Sequence, residues 1–368
     1  MKQAKITDVK VYIVSRKPEG NLADSTRSIG DCGYLIVDIF TDTGINGIGL
    51  TYHEVGTEAI RSFILGSIKP LIMGMDPLQH EVIYEKVFHY FRAVGRKGFA
   101  FCALSAVDIA LWDIKGKAVD LPLFRLLGGN RTKLPVYSSA GWTSYSIKEL
   151  CDEMTGMVEE GYTMVKMKVG VEWGNNFRED LKRVAAVRKA VGPDIKIAVD
   201  ANNAYKAGTA VQFASRAGEY DIEFFEEPVP ADDIPGLAYC RNSLSVPLAT
   251  GEHEYTRFGV RDLLAAGGCD ILQADVCRVG GYTEMLKIIA LSQAYNVWFA
   301  PHCMEHMHMH LASAAPNTLV LESLTLFRPV TKDAFIDPPM PKNGFLEIPE
   351  KPGLGLELNM DYINKYGI

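Results

Sequence analysis

The chain has 368 residues, 48% of them hydrophobic and 23% charged, with a net charge of −7. That length and balance suit one large domain plus a smaller one in a soluble globular protein. No long basic run is present, which argues against nucleic acid as a partner, while a small anionic substrate stays open because charge in a cleft matters more than net charge.

Residues 5–14 (KITDVKVYIV) alternate as a strand, so the N-terminus lacks the apolar centre of a signal peptide. A polar loop, residues 15–31, carries Gly20, Asn21, Asp24 and Arg27. A second strand follows at 34–41, and Asp42-Thr43-Gly44 turns the chain into INGIGLTY, which makes a hairpin. Helices are expected near 56–70, 76–93 and 100–118, the last with Ala106, Ile109 and Trp112 at helical spacing. Residues 1–130 therefore form an α+β unit. LGGNRTKLPV marks its end, with Gly128 and Gly129 closing the helical region and Pro135 opening a strand.

From 131 to 330 strand and helix alternate. Strands are expected near 136–140, 164–169, 195–201, 223–227, 247–251, 271–275, 297–301 and 319–323, with helices such as 147–160, 176–191, 206–219 and 281–295 between them. Alternation implies parallel strands with crossover helices, and eight of them favour a closed TIM-like barrel over an open sheet. Residues 331–368, rich in Pro and Gly, leave the barrel to pack elsewhere.

Charged residues end the short apolar runs of this barrel. Lys166 and Lys168 lie in MVKMKV, Asp200 closes IKIAVD, Glu226 sits in FFEEP, and Glu252 closes PLATGE. Asp275 ends ILQAD, His302 ends VWFAPH, and Glu322 ends LVLE. Barrels of this kind carry their active sites at the C-terminal strand ends. Asp200, Glu226 and Glu252 come from consecutive strands, and three hard oxygen ligands suit Mg²⁺. Lys166 and Lys168 share one face of their strand; burial and the neighbouring cation are expected to favour a neutral amine on one of them, as a general base needs. His302 and Asp275, on adjacent strands, suit an acid/base dyad in which Asp fixes the imidazole tautomer. Glu322, if protonated, donates to a substrate carboxylate oxygen. Such a set removes a proton α to a carboxylate.

The motifs KMK (166–168), VDAN (199–202), FEEP (225–228), TGE (250–252), QADVCRVGG (273–281), PH (301–302) and Glu322, in this order, resemble the mandelate racemase subgroup of the enolase superfamily. The resemblance implies a (β/α)7β barrel, an N-terminal α+β capping domain and a C-terminal segment (331–368) returning to the cap. It implies Mg²⁺ on Asp200, Glu226 and Glu252, acid/base roles for Lys168 and for His302 with Asp275, Lys166 beside the substrate carboxylate, Glu322 as electrophile and Asn202 as a substrate contact. His253 stands where such racemases often have Asn, and GEHEYTRFG looks more like acid-sugar dehydratases. The expected activity is therefore dehydration of an aldonate or aldarate to a 2-keto-3-deoxy acid, with 2-hydroxy acid racemisation or epimerisation as the alternative.

Other signals are weaker. Cys32, Cys102, Cys151, Cys240, Cys269, Cys277 and Cys303 are odd in number with no CxxC pair, as in a reduced cytoplasmic protein. No apolar window reaches the length of a membrane span. The expected partner is a small-molecule carboxylate, and a homo-oligomer is expected. In CMEHMHMH the spacing of His306, His308 and His310 argues against a second metal, and one of them is expected at the pocket edge. Arg27, His53, Arg96 and Lys97 are the cap's candidates for contacting substrate. Glu227 has the wrong parity to share the inward face with Glu226, and GINGIG lies in a hairpin, unlike a dinucleotide loop.

Overall fold

The computed structural model describes residues 4–367. Three antiparallel strands come first, β1 (Ile6–Arg16), β2 (Cys32–Thr41) and β3 (Asn46–His53), with β2 central and almost wholly buried. The 20-residue helix Phe99–Ala118 packs on β3. Gly47 and Gly49 permit the close approach: a Cβ at Gly49 would stand 2.1 Å from the Ala106 carbonyl oxygen, and one at Gly47 2.3 Å from that of Ala110. The glycines of GINGIG thus serve helix packing. The helix expected over 56–70 is broken into Thr57–Phe63, a π turn at Ile64–Ile68 and Lys69–Ile72. Pro70 has no N–H to give to the preceding turn, and the wider turn absorbs the break. The next helix starts only at His80, after a turn in which Asp76 accepts from the Leu78 amide.

Eight parallel strands follow: β4 (Lys133–Ser139), β5 (Met164–Lys168), β6 (Lys196–Asp200), β7 (Ile222–Glu226), β8 (Leu248–Thr250), β9 (Ile271–Leu272), β10 (Trp298–Phe299) and β11 (Leu321–Leu324). They neighbour one another in chain order, and β11 pairs with β4. Phe299 closes the ring, donating to the Asn317 carbonyl at 2.9 Å and accepting from the Leu319 amide at 2.8 Å. Seven helices, from Ile147–Glu159 to Glu305–Ala314, fill the crossovers. The first starts at a capping box in which Ser146 and Glu149 satisfy each other's backbone amides. Inside the barrel Tyr137, Ala198, Phe224, Ala249, Ile271 and Ala300 form an apolar plug below the mouth. Strands β9 and β10 stop short of their expected ends; after β10, Pro301 cannot extend the ladder, and the chain turns to carry His302 inward.

The tail turns back across the molecule. Strand β12 (Phe345–Glu347) pairs antiparallel with β4. Further on, the Leu123 amide donates to the Gly353 carbonyl at 2.9 Å and the Leu354 amide to Asp113 at 2.8 Å, inside the Phe99–Ala118 helix. The same helix holds the barrel through Asp108, which accepts from the Thr283 amide and hydroxyl at 2.9 and 2.6 Å. No helix of the described residues is long and apolar enough to cross a membrane. The seven cysteines are free thiols.

Candidate active site at the barrel mouth

Strand register sets the first layer. Lys168 is opposite Asp200 and Asp200 opposite Glu226, at the ends of β5, β6 and β7. Glu252, Asp275 and His302 lie just beyond β8, β9 and β10, and Glu322 sits within β11. All are buried, although a strand core has no packing use for charge.

The lysines neutralise the carboxylates directly. Lys166 Nζ is 2.6 and 2.7 Å from the two oxygens of Glu226, 2.8 Å from Glu322 Oε1 and 3.7 Å from Asp200 Oδ2. Lys168 Nζ donates to Asp200 Oδ2 at 2.5 Å. Gln273 Nε2 donates to Glu226 Oε2 at 2.6 Å. Two sequence-based expectations are corrected here. Burial works against a charged Lys168, but Asp200, with Glu226 beside it, outweighs burial and Lys166 and raises the ammonium above the ordinary lysine range. Burial would likewise protonate Glu322, yet Lys166 and then His302 hold it down to about 2, so in this arrangement it is a carboxylate and an acceptor. Its Oε2 takes the Cys303 amide at 2.9 Å.

Asp200, Glu226 and Glu252 are not one tight donor cluster. Among the described residues, the groups whose ligand atoms lie within 4.8 Å of one another are His302, Cys303 and Glu322, and Glu227, Glu252 and His253. Asp200 and Glu226 instead turn oxygens onto the ammonium groups. The donor set nevertheless fits a hard divalent cation: three buried carboxylates on consecutive strands, with Glu226 pushed well above the usual range by burial and by Asp200. Crowded anions of this kind are what such a cation relieves.

His302 Nδ1 is 2.8 Å from Asp275 Oδ2, and Asp275 Oδ1 accepts the Cys277 amide at 2.7 Å. Burial would push Asp275 up, but the hydrogen bond from His302 together with the neighbouring His308 and Arg278 outweighs it and lowers the carboxyl. His302 Nε2 is 3.3 Å from Glu252 Oε2. Tyr52, at the end of β3, reaches into this dyad, donating to Asp275 Oδ2 with its oxygen 3.2 Å from His302 Nδ1. Arg278 lies 3.2 Å from Glu252 Oε1 and 4.8 Å from the centre of the Tyr52 ring. Sequence reasoning gave no role to Tyr52's hydroxyl, Gln273 or Arg278. Gln273 and Asp275 share strand parity, and Arg278 belongs to the same QADVCRVGG motif, so both had a local signal; the hydroxyl had none.

Asn202 donates its amide to Asp200 Oδ1 at 2.8 Å, has φ 40°, and keeps its buried Oδ1 without a partner. It lines a cavity of about 550 Å³ together with Lys168, His302 and Glu252 from the barrel, and with Arg27, Tyr52 and His53 from the cap. Trp142 forms part of its wall. Two cap candidates stand elsewhere: Arg96 lies over the Phe88 ring at 4.0 Å, and Lys97 is 3.9 Å from Glu254. Glu227 turns away from Glu226 to His253 Nδ1 at 2.6 Å and Asn203 Nδ2 at 2.7 Å, and His253 is raised to about 9, first by Glu227. The histidine run does not reach the cavity edge. His308 Nε2 accepts the Val276 amide at 2.9 Å, His310 Nδ1 accepts the Phe124 amide at 3.2 Å, and His306 packs edge-on against Tyr34.

Residues 6–128 match the family model of the mandelate racemase / muconate lactonizing enzyme N-terminal domain, and residues 149–362 that of the enolase C-terminal domain-like family. The chain belongs to the enolase superfamily. The resemblance carried by its motifs therefore holds. Among superfamily relatives, it is 30% identical to D-galactarolactone cycloisomerase of Agrobacterium fabrum, covering 98% of each chain. It is 32% identical to arabinonate dehydratase of Saccharolobus solfataricus, covering 89% of each. A solved racemase from Streptomyces coelicolor with bound magnesium superposes with a TM-score of 0.93 at 28% identity, over 99% of this chain and 100% of that one. Relatives of this chain thus include both dehydratases and isomerases.

Proposed function

We propose that this chain is a Mg²⁺-dependent acid-sugar dehydratase that turns an aldonate or aldarate into a 2-keto-3-deoxy acid. The observation that carries the reading is that Lys168 and His302 open into one cavity from β5 and β10, on different sides of the ring. Asp200, Glu226 and Glu252 are the residues that would hold the cation, whose charge, when bound, supports the substrate carboxylate as negative charge builds on it. With Asp200 and Glu226 both committed there, the influences left on Lys168 are burial and Lys166, and both favour the neutral amine. Lys168 then takes the C2 proton. The electron pair released from the C–H bond forms the C2–C3 double bond and breaks the C3–O bond. His302, oriented by Asp275, protonates the departing oxygen so that it leaves as water. The enol so formed ketonises. Lys166, between Glu226 and Glu322, keeps a positive charge beside the carboxylate end.

Similarity to arabinonate dehydratase supports this reading. Similarity to a cycloisomerase and to a racemase supports a second one, in which Lys168 and His302 exchange a proton at a single carbon as racemase or epimerase. A sugar-acid panel with Mg²⁺, assayed for keto acids, separates them. Dehydration predicts a keto acid and loss of turnover in EDTA. C2-proton exchange in D₂O with no keto acid from any aldonate or aldarate makes dehydration wrong.

A further inference from the structure

The charges on the cap side of the cavity are already paired or of one sign. Arg27 is 2.8 Å from Glu54 Oε2 and 3.5 Å from Asp24 Oδ2. Arg278 also lines the cavity, but it is 3.2 Å from Glu252 Oε1 and its side chain is 13% exposed, so its charge is already met. Asp31 also lines the cavity, so its cap side holds Asp24, Asp31 and Glu54 against the single guanidinium of Arg27. His53 does not redress the balance, because burial lowers it below the ordinary histidine range and favours the neutral ring. Another part of the wall is apolar, built by Trp142, Leu324, Leu326 and Phe327.

We infer, resting on the dehydratase reading above, that the substrate is a monocarboxylic sugar acid whose far end is uncharged, with an apolar group such as a terminal methyl against Trp142 and Phe327. One carboxylate is provided for at the barrel mouth by Lys166, Lys168 and the cation site. A second, at the other end of an aldarate, would lie near three like charges, while Arg27 and Arg278, the guanidinium groups among the described residues lining the cavity, are already paired with Glu54 and Glu252. Arg27 does not escape this argument. Leaving Glu54 for the substrate would strand a carboxylate that burial pushes up and that Arg27 first among its neighbours holds down. A methyl or a C–H edge meets the opposite condition: it buries apolar surface on the indole and phenyl faces and leaves no polar group unpaired. The volume of about 550 Å³ is within the usual range for a small-molecule site.

The test compares hexarates, hexonates and 6-deoxyhexonates of matched configuration on the full Mg²⁺-loaded chain, by kcat/KM and by calorimetric Kd. The expected order is 6-deoxyhexonate first, hexonate next and hexarate last, with the ends separated by roughly tenfold or more. Glu54→Gln, which releases Arg27, should narrow the gap between hexarate and 6-deoxyhexonate by about tenfold. A hexarate that binds and reacts as well as its 6-deoxy counterpart overturns the inference. If no acid yields a keto acid, the dehydratase reading fails, and the Kd order still decides this one: hexarate weakest upholds it, hexarate tightest overturns it. Absence of binding by any of the acids overturns both.

Discussion

The barrel mouth and the cap enclose the same cavity by opposite means. At the mouth the charges are buried, and Lys166, Lys168, Asp200, Glu226 and Glu322 are held by strand register: Lys166 and Asp200 have side chains 1% and 0% exposed, and Lys166 has three carboxylates around it. In the cap the facing charges sit on loops and are partly solvated, with Arg27 51% and Glu54 29% exposed. A ladder fixes side-chain direction to within a rotamer, whereas a loop places charges by contacts that one substitution can re-pair. On the proposed reading, the mouth determines which bond is activated and the cap in which molecule. Tyr52 crosses the division, since it belongs to a cap strand but ends on the Asp275–His302 dyad.

Breaking the mouth has the largest expected effect. Lys168→Ala and His302→Asn should each lower kcat/KM by about 10²–10⁴-fold and restrict or abolish C2-proton exchange in D₂O according to substrate stereochemistry. Exchange that is unchanged in both variants removes the acid/base assignment. Tyr52→Phe sharpens the comparison with a smaller loss. It deletes one hydrogen bond while Asp275 keeps His302 and the Cys277 amide. A loss of about tenfold in kcat is expected, with KM little changed. An effect on KM alone would make Tyr52 a wall residue like its cap neighbours.

The same contrast explains what the sequence disclosed. Parity alone put Lys166 and Lys168 on one face, and chain order put three carboxylates on successive strands, because a strand's period is local. The charge state of Lys168 was not legible. Proximity to Lys166 is visible in KMK, but Asp200 is 32 residues away and its 2.5 Å contact exists only once β5 and β6 are paired. Glu322 was misjudged for the same reason, since Lys166 meets it across the ring. The pairing of Arg27 with Glu54 joins two loop segments with no periodicity to read, and so two expected substrate contacts, Arg96 and Lys97, were chosen on charge and stand elsewhere. The helix expected over 56–70 is present over 57–72, and what was not read was the π turn before Pro70, whose missing amide was not weighed.

The smallest expected effect concerns stability and separates the histidine that works from those that pack. His306 is fully enclosed between Tyr34 and Phe335, with ring centres 5.8 and 5.9 Å away, and burial lowers it to about 3. In the unfolded chain its value returns to about 6.5. Between these limits the unfolded state binds the extra proton, so the stability contributed by keeping His306 neutral is present above pH 6.5 and is lost as pH falls towards 3. His306→Phe keeps a ring of similar shape and removes the titration. The variant should therefore gain on the parent chain by about 1.4 kcal/mol for each pH unit between 6 and 4, read from denaturant unfolding at each pH. A constant difference across that interval would mean that His306 is protonated in the folded protein, and that the ring packs beside Tyr34 as a cation.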